Sequence, residues 1–162
     1  MPVVPTKRHG AFPPVDLHWM RQAIAVACDV GQPPLATQDV PVGALLIYQN
    51  ECIAVSANRR EREQNPIGHA EMLVLQAAAA HLNRWRLDGA SLYVTLEPCP
   101  MCASALKQAR VSQVVFGAYD PLLGACGSYL PLLMDSPDVQ VVGGILEAEC
   151  RALLQTFFKR LR

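Results

Sequence analysis

The sequence predicts a three-layer α/β/α domain, with a mixed central sheet of about five strands and helices on both faces. Two observations carry that prediction. Strand-like and helix-like segments alternate after one hairpin, a pattern that needs parallel pairing through crossover helices. The 162 residues are one domain's length, and 51% of them are apolar against 17% charged, so the chain can fill a sizeable core.

The elements follow in order. Residues 1–14 carry four prolines and little periodicity and read as a flexible N-terminal arm. Residues 15–162 then form a single domain. Leu17, Met20, Ile24, Ala27 and Cys28 recur at helical spacing, with Asp16 as the expected N-cap, and the Gly31–Pro34 stretch ends that helix near residue 29. Residues 40–48 are a buried strand, Gln49, Asn50 and Glu51 a turn, and residues 52–57 its hairpin partner. Residues 59–68 are polar, contain Asn65-Pro66, and form a loop. A helix rich in Ala, Leu and Met covers residues 69–81. Residues 91–96 are the third strand, a helix opens near Pro100, and residues 111–118 are the fourth strand. A Gly- and Pro-punctuated connection runs over 119–137. Residues 139–142 are a short fifth strand. Leu146, Cys150, Leu153, Leu154, Phe157, Phe158 and Leu161 mark the apolar stripe of the last helix.

Composition removes several function classes. Fourteen basic residues balance fourteen acidic ones, so the protein does not hold nucleic acid by bulk charge. Local basic clusters remain at Arg59, Arg60 and Arg62, at Arg84 and Arg86, and at Lys159, Arg160 and Arg162. No apolar run approaches the ~20 residues of a membrane span, and the first ten residues lack the apolar core of a secretory signal. The six cysteines are therefore expected to be reduced, in a cytoplasmic protein. Cys28, Cys52, Cys126 and Cys150 are expected to fill space.

Two segments carry chemistry: His69-Ala70-Glu71 and Pro98-Cys99-Pro100-Met101-Cys102. Each opens a predicted helix, where the helix N-terminus favours thiolate over thiol. Alone, Cys-x-x-Cys fits a redox pair or half of a structural zinc site. A histidine at a helix start fits a cap, and a glutamate there fits the helix dipole. Together, two thiolates and an imidazole are a ligand set that zinc prefers, and three protein ligands are the count of catalytic rather than structural sites. Glu71, near the metal without binding it, is placed to take and return a proton of water. His-x-Glu followed by Pro-Cys-x-x-Cys is the signature of zinc nucleobase deaminases.

On these motifs the chain resembles the cytidine-deaminase-like superfamily, and within it the bacterial tRNA-specific adenosine deaminases, from about residue 17 onward. The narrower resemblance rests on Trp19-Met20-Arg21, Val40-Pro41-Val42-Gly43-Ala44, the Phe-Gly-Ala-x-Asp stretch ending at Asp120, Gly124-Ala125-Cys126-Gly127 and the Phe157-Phe158 basic tail. The resemblance implies one zinc ion per subunit on His69, Cys99 and Cys102, with Glu71 as the catalytic proton shuttle. It implies substrate contacts by Asn58, by backbone at Ala70, by Asp120 and by Phe158. It further implies hydrolytic deamination of the wobble adenosine of a tRNA anticodon stem-loop, in an arginine tRNA, by a homodimer with no membrane association. Leu122, Leu123, Leu130, Leu132, Leu133 and Met134 line such a dimer interface or pack in the core.

Two other readings stand beside this one. A free-base or nucleoside deaminase of the guanine or cytosine type would share the zinc motifs. A zinc-stabilised RNA-binding module would share the fold without turnover, but leaves Glu71 and the three-ligand count unexplained.

Overall fold

The computed structural model describes residues 11–30 and 39–162 and has the predicted order of elements. These are α1 (Pro14–Val30), β1 (Gly43–Tyr48), β2 (Glu51–Ala57), α2 (Ala70–Leu82), β3 (Ser91–Leu96), α3 (Pro100–Gln108), β4 (Gln113–Ala118), β5 (Gln140–Gly143) and α4 (Glu147–Arg160). Residues 1–10 of the expected arm, and the Gly31–Pro34 helix stop, lie outside the described residues. At the arm's other end α1 already includes Pro14, and Phe12 packs against the core.

The sheet is mixed, in the order β2-β1-β3-β4-β5. β1 pairs antiparallel with both β2 and β3, whereas β3, β4 and β5 are parallel. Gln49 and Asn50 both take positive φ, 50° and 64°, which gives the β1–β2 turn the twist that two-residue hairpins need. Alternation along the strands separates two cores. Ala44, Leu46, Leu92, Val94, Val114 and Phe116 face α2 and α3. Leu45, Ile47, Tyr93 and Val115 face the other way, toward Met20 and Ala23 of α1 and Cys150 of α4. The three layers follow from that division.

Asp16 is not the cap of α1. Its backbone N–H bonds to the Pro13 carbonyl inside the first turn, and its carboxylate is buried beneath the helix, accepting a hydrogen bond from the Tyr93 hydroxyl at 2.7 Å. A partner on the sheet draws the side chain inward, where capping would have turned it back along the helix. Among the described residues no helix is long and apolar enough to cross a membrane.

The backbone of α1 lies close against β1 at Gly43. A Cβ there would collide with the Ala23 carbonyl oxygen and lie 2.8 Å from the Ala27 nitrogen, both backbone atoms that cannot swing away. Gly43→Ala should therefore force α1 off β1 and lower stability by about 3 kcal/mol, the upper range for overpacking. Urea unfolding of the two proteins would measure the difference.

Candidate active site

The helices α2 and α3 both begin at the carboxyl edge of the sheet, where α/β folds with parallel strands place their sites. His69 is the residue before α2 and Cys99 the residue before α3, and neither side chain caps its own helix. Each side chain is thus left to face the other. His69 Nδ1 lies 3.7 Å from Cys99 Sγ and 3.5 Å from Cys102 Sγ. Cys102 is fully buried on the first turn of α3, and Pro100 occupies the N1 position, where a missing N–H has no cost.

Close packing of these groups reshapes their acidity. Hydrogen bonding from Cys102, and then from His69, pulls the Cys99 thiol down to about 4. The same contact with Cys99 pushes Cys102 upward, and His69 is raised chiefly by its contact with Cys99. Glu71, in the first turn of α2, is 4% exposed, and burial pushes its carboxyl up to about 7.

The donor set fits zinc. The ligand atoms of His69, Cys99 and Cys102 all lie within 4.8 Å of one another. A tetrahedral zinc ion with bonds of about 2.3 Å to sulfur and about 2.0 Å to nitrogen needs N···S separations of about 3.6 Å, close to those here. Among the described residues the cluster consists of these three, so His69, Cys99 and Cys102 form a potential zinc site.

This cluster is at the end of a cavity of about 490 Å³. Asn58, Glu71, Asp120 and Phe158 line it with His69 and Cys99. Asn58 Oδ1 accepts the Ala70 N–H at 2.9 Å, which caps α2 from the preceding loop. Ala70 itself lies behind the wall, with its N–H committed to Asn58. Of the adjacent phenylalanines, Phe157 is buried and Phe158 is 48% exposed at the mouth. Leu133 is core, whereas Leu122, Leu123, Leu130 and Leu132 are exposed. Arg60 also lines the cavity, while Arg59 pairs with Glu63.

Two buried carboxylates in the cavity wall were not singled out by the sequence reading. Asp39 accepts the Glu61 N–H at 2.7 Å and the Arg62 N–H at 3.3 Å, which ties down the polar loop that carries Arg60. Glu97 follows β3 and accepts three backbone N–H groups: Asp120 at 3.0 Å through Oε2, and Cys126 at 3.0 Å and Ser128 at 3.1 Å through Oε1. Gly124 is pressed against this carboxylate so closely that a Cβ would overlap it. Glu97 thereby holds the loop after β4 against the site. A charged residue directly after an apolar strand and two positions before Cys99 was the available signal. Glu97→Ala should free all three amides, and hydrogen exchange at Cys126 and Ser128 should accelerate about tenfold or more; amide exchange followed by NMR would test it.

The family model for the cytidine and deoxycytidylate deaminase zinc-binding region matches residues 14–118. A tRNA-specific adenosine deaminase of Bacillus subtilis is 51% identical over 127 residues, covering 76% of this chain and 79% of that protein. One from Streptococcus pyogenes is 35% identical over 148 residues, covering 90% of this chain and 91% of its own length. A solved structure from a study of A-to-I editing by tRNA:A34 deaminases superposes with a TM-score of 0.78 at 36% identity, covering 85% of this chain and 99% of that one. The chain belongs to the zinc-binding cytidine and deoxycytidylate deaminase family, among its tRNA-specific adenosine deaminases.

Proposed function

We propose that this protein converts adenosine to inosine at the wobble position of a tRNA anticodon by zinc-dependent hydrolysis, with an arginine tRNA as substrate. The observation that carries this reading is the single cavity that brings Glu71 beside the His69, Cys99 and Cys102 donor set while opening outward past Phe158. One zinc ion per chain would be held by those three residues. Bound there, zinc supplies the Lewis acidity that makes water a nucleophile near neutral pH.

The remaining chemistry belongs to the chain's own groups. Water adds to C6 of adenine and ammonia leaves. Glu71 takes one proton of the attacking water and gives it to a ring nitrogen; it then takes the remaining proton from the new C6 hydroxyl as the carbonyl forms, and gives it to the amine, which departs as ammonia. Burial raises the Glu71 carboxyl above the ordinary carboxylate range, which makes it a better proton acceptor than an exposed glutamate. Asn58 presents a fixed NH₂ donor to an acceptor on the base edge. The target adenosine must leave its stack to reach this depth, which is least costly in an anticodon loop. The open mouth, with Leu122 at 76% and Phe158 at 48% exposure, favours a base carried on a polymer over a free base sealed in a closed pocket.

The protein is further proposed to work as a cytoplasmic homodimer. Tyr129, Leu130 and Leu132 support this reading, since they expose apolar surface on the loop that Glu97 anchors. Sedimentation at micromolar concentration should give twice the 17.7 kDa chain mass.

An arginine-tRNA anticodon stem-loop bearing a wobble adenosine should yield inosine with the parent protein. Glu71→Ala should lower the rate by about a hundredfold or more while keeping one zinc ion per chain by metal analysis. His69→Ala, Cys99→Ser and Cys102→Ser should each lose the metal as well as the activity. Inosine formation at the parental rate by Glu71→Ala would remove that residue from the chemistry.

A further inference from the structure

We propose that Leu122 and Leu123 form an apolar shelf at the cavity mouth that holds a nucleobase next to the reacting adenosine, and that Asp120 positions this shelf. The proposal rests on the wobble-deaminase reading and adds to it a means of gripping the flanking sequence.

Both leucines line the same cavity as His69 and Glu71, yet they are 76% and 56% exposed. The backbone beneath them is held from several directions. Asp120 Oδ1 accepts the N–H of Leu122 at 3.0 Å and that of Leu123 at 3.1 Å. The Asp120 carbonyl accepts the Gly124 N–H at 2.9 Å, and the Asp120 N–H bonds to the buried Glu97 carboxylate. An exposed apolar pair on a loop fixed at both ends is a surface held ready for contact. Asp120 acts through these bonds, and one of its carboxylate oxygens is already committed to the loop.

Charge selects the occupant. From residue 112 to residue 134, Asp120 is the only charged residue, so this wall has no cation for a phosphate. Cations stand on the other sides of the mouth. Arg60 lines the cavity, and an adjoining groove over α4 carries Lys159 and Arg162 beside Phe158. A nucleotide strand presents flat, weakly polar base faces along one edge and phosphates along another. Against such a mouth the bases face the leucines and the phosphates face the cations. When the target adenosine is extruded, its neighbour loses a stacking surface, and a side-chain face can replace it.

The test uses the zinc-loaded full-length protein and two anticodon stem-loops carrying the wobble adenosine. One loop is intact; the other has abasic sites on both sides of that adenosine. Binding is read by fluorescence anisotropy and inosine by single-turnover assay. L122S/L123S should weaken binding of the intact loop about tenfold and of the abasic loop less than about twofold. Asp120→Ala should show the same selectivity, whereas Asp120→Asn should bind as the parent does, because its amide oxygen still accepts both N–H groups. An equal loss on the two loops, or Asp120→Asn as weak as Asp120→Ala, would overturn the proposal. Absence of inosine from the parent on the intact loop would instead overturn the wobble-deaminase reading.

Discussion

His69 and Cys99 stand one residue before two different helices, and the site depends on those helices beginning side by side. A residue at that position sees the unpaired N–H groups of a first turn, an environment that favours an anion. Here α2 and α3 place an imidazole and two sulfurs in that environment at separations suited to one metal ion. The spacing is set by the sheet. β3 delivers Cys99 through Glu97 and Pro98, and the loop after β2 delivers His69 under the control of Asn58. Small residues let α2 approach closely enough for this to work: Ala70 and Ala78 are fully buried against the strands.

Around that centre the polar groups of the wall act mainly on backbone. Asp39, Asn58, Glu97 and Asp120 each accept N–H groups from a loop or a helix start. Loops at the mouth of a site have few apolar contacts to hold them, and buried carboxylates with several donors are a strong substitute. Glu71 differs from the others. Burial outweighs the hydrogen bonds from its own backbone N–H and from Cys102, and its carboxyl is raised.

Much of this was legible in the sequence because the signals were local. Periodicity, helix-forming composition and turn residues placed the helices and strands, the Gln49-Asn50 turn marked the hairpin, and the two motifs at helix starts pointed to the zinc cluster. What the sequence hid depends on distant pairing. Asp16 has the look of an N-cap until Tyr93, far along the chain, supplies a buried hydroxyl for it. Glu97 has no partner in its neighbourhood, since its three donors come from residues 120, 126 and 128. The loop after β4 likewise has no periodicity to reveal which leucines turn inward, and Leu133 is buried while Leu132 beside it is exposed.

Phe157 and Phe158 give the mouth an uneven stiffness. Successive helical residues point about 100° apart, so one ring is locked in the interior while the next borders the cavity. Moving Phe158 aside by turning α4 would drag Phe157 out of its packing. That wall is in effect an extension of the core. The facing wall, built on residues 120–124, hangs from hydrogen bonds instead. The mouth therefore resembles a vice with one fixed jaw and one adjustable jaw. Changes in the substrates it accepts should come more easily from sequence drift in the hanging loop than from drift in the helix.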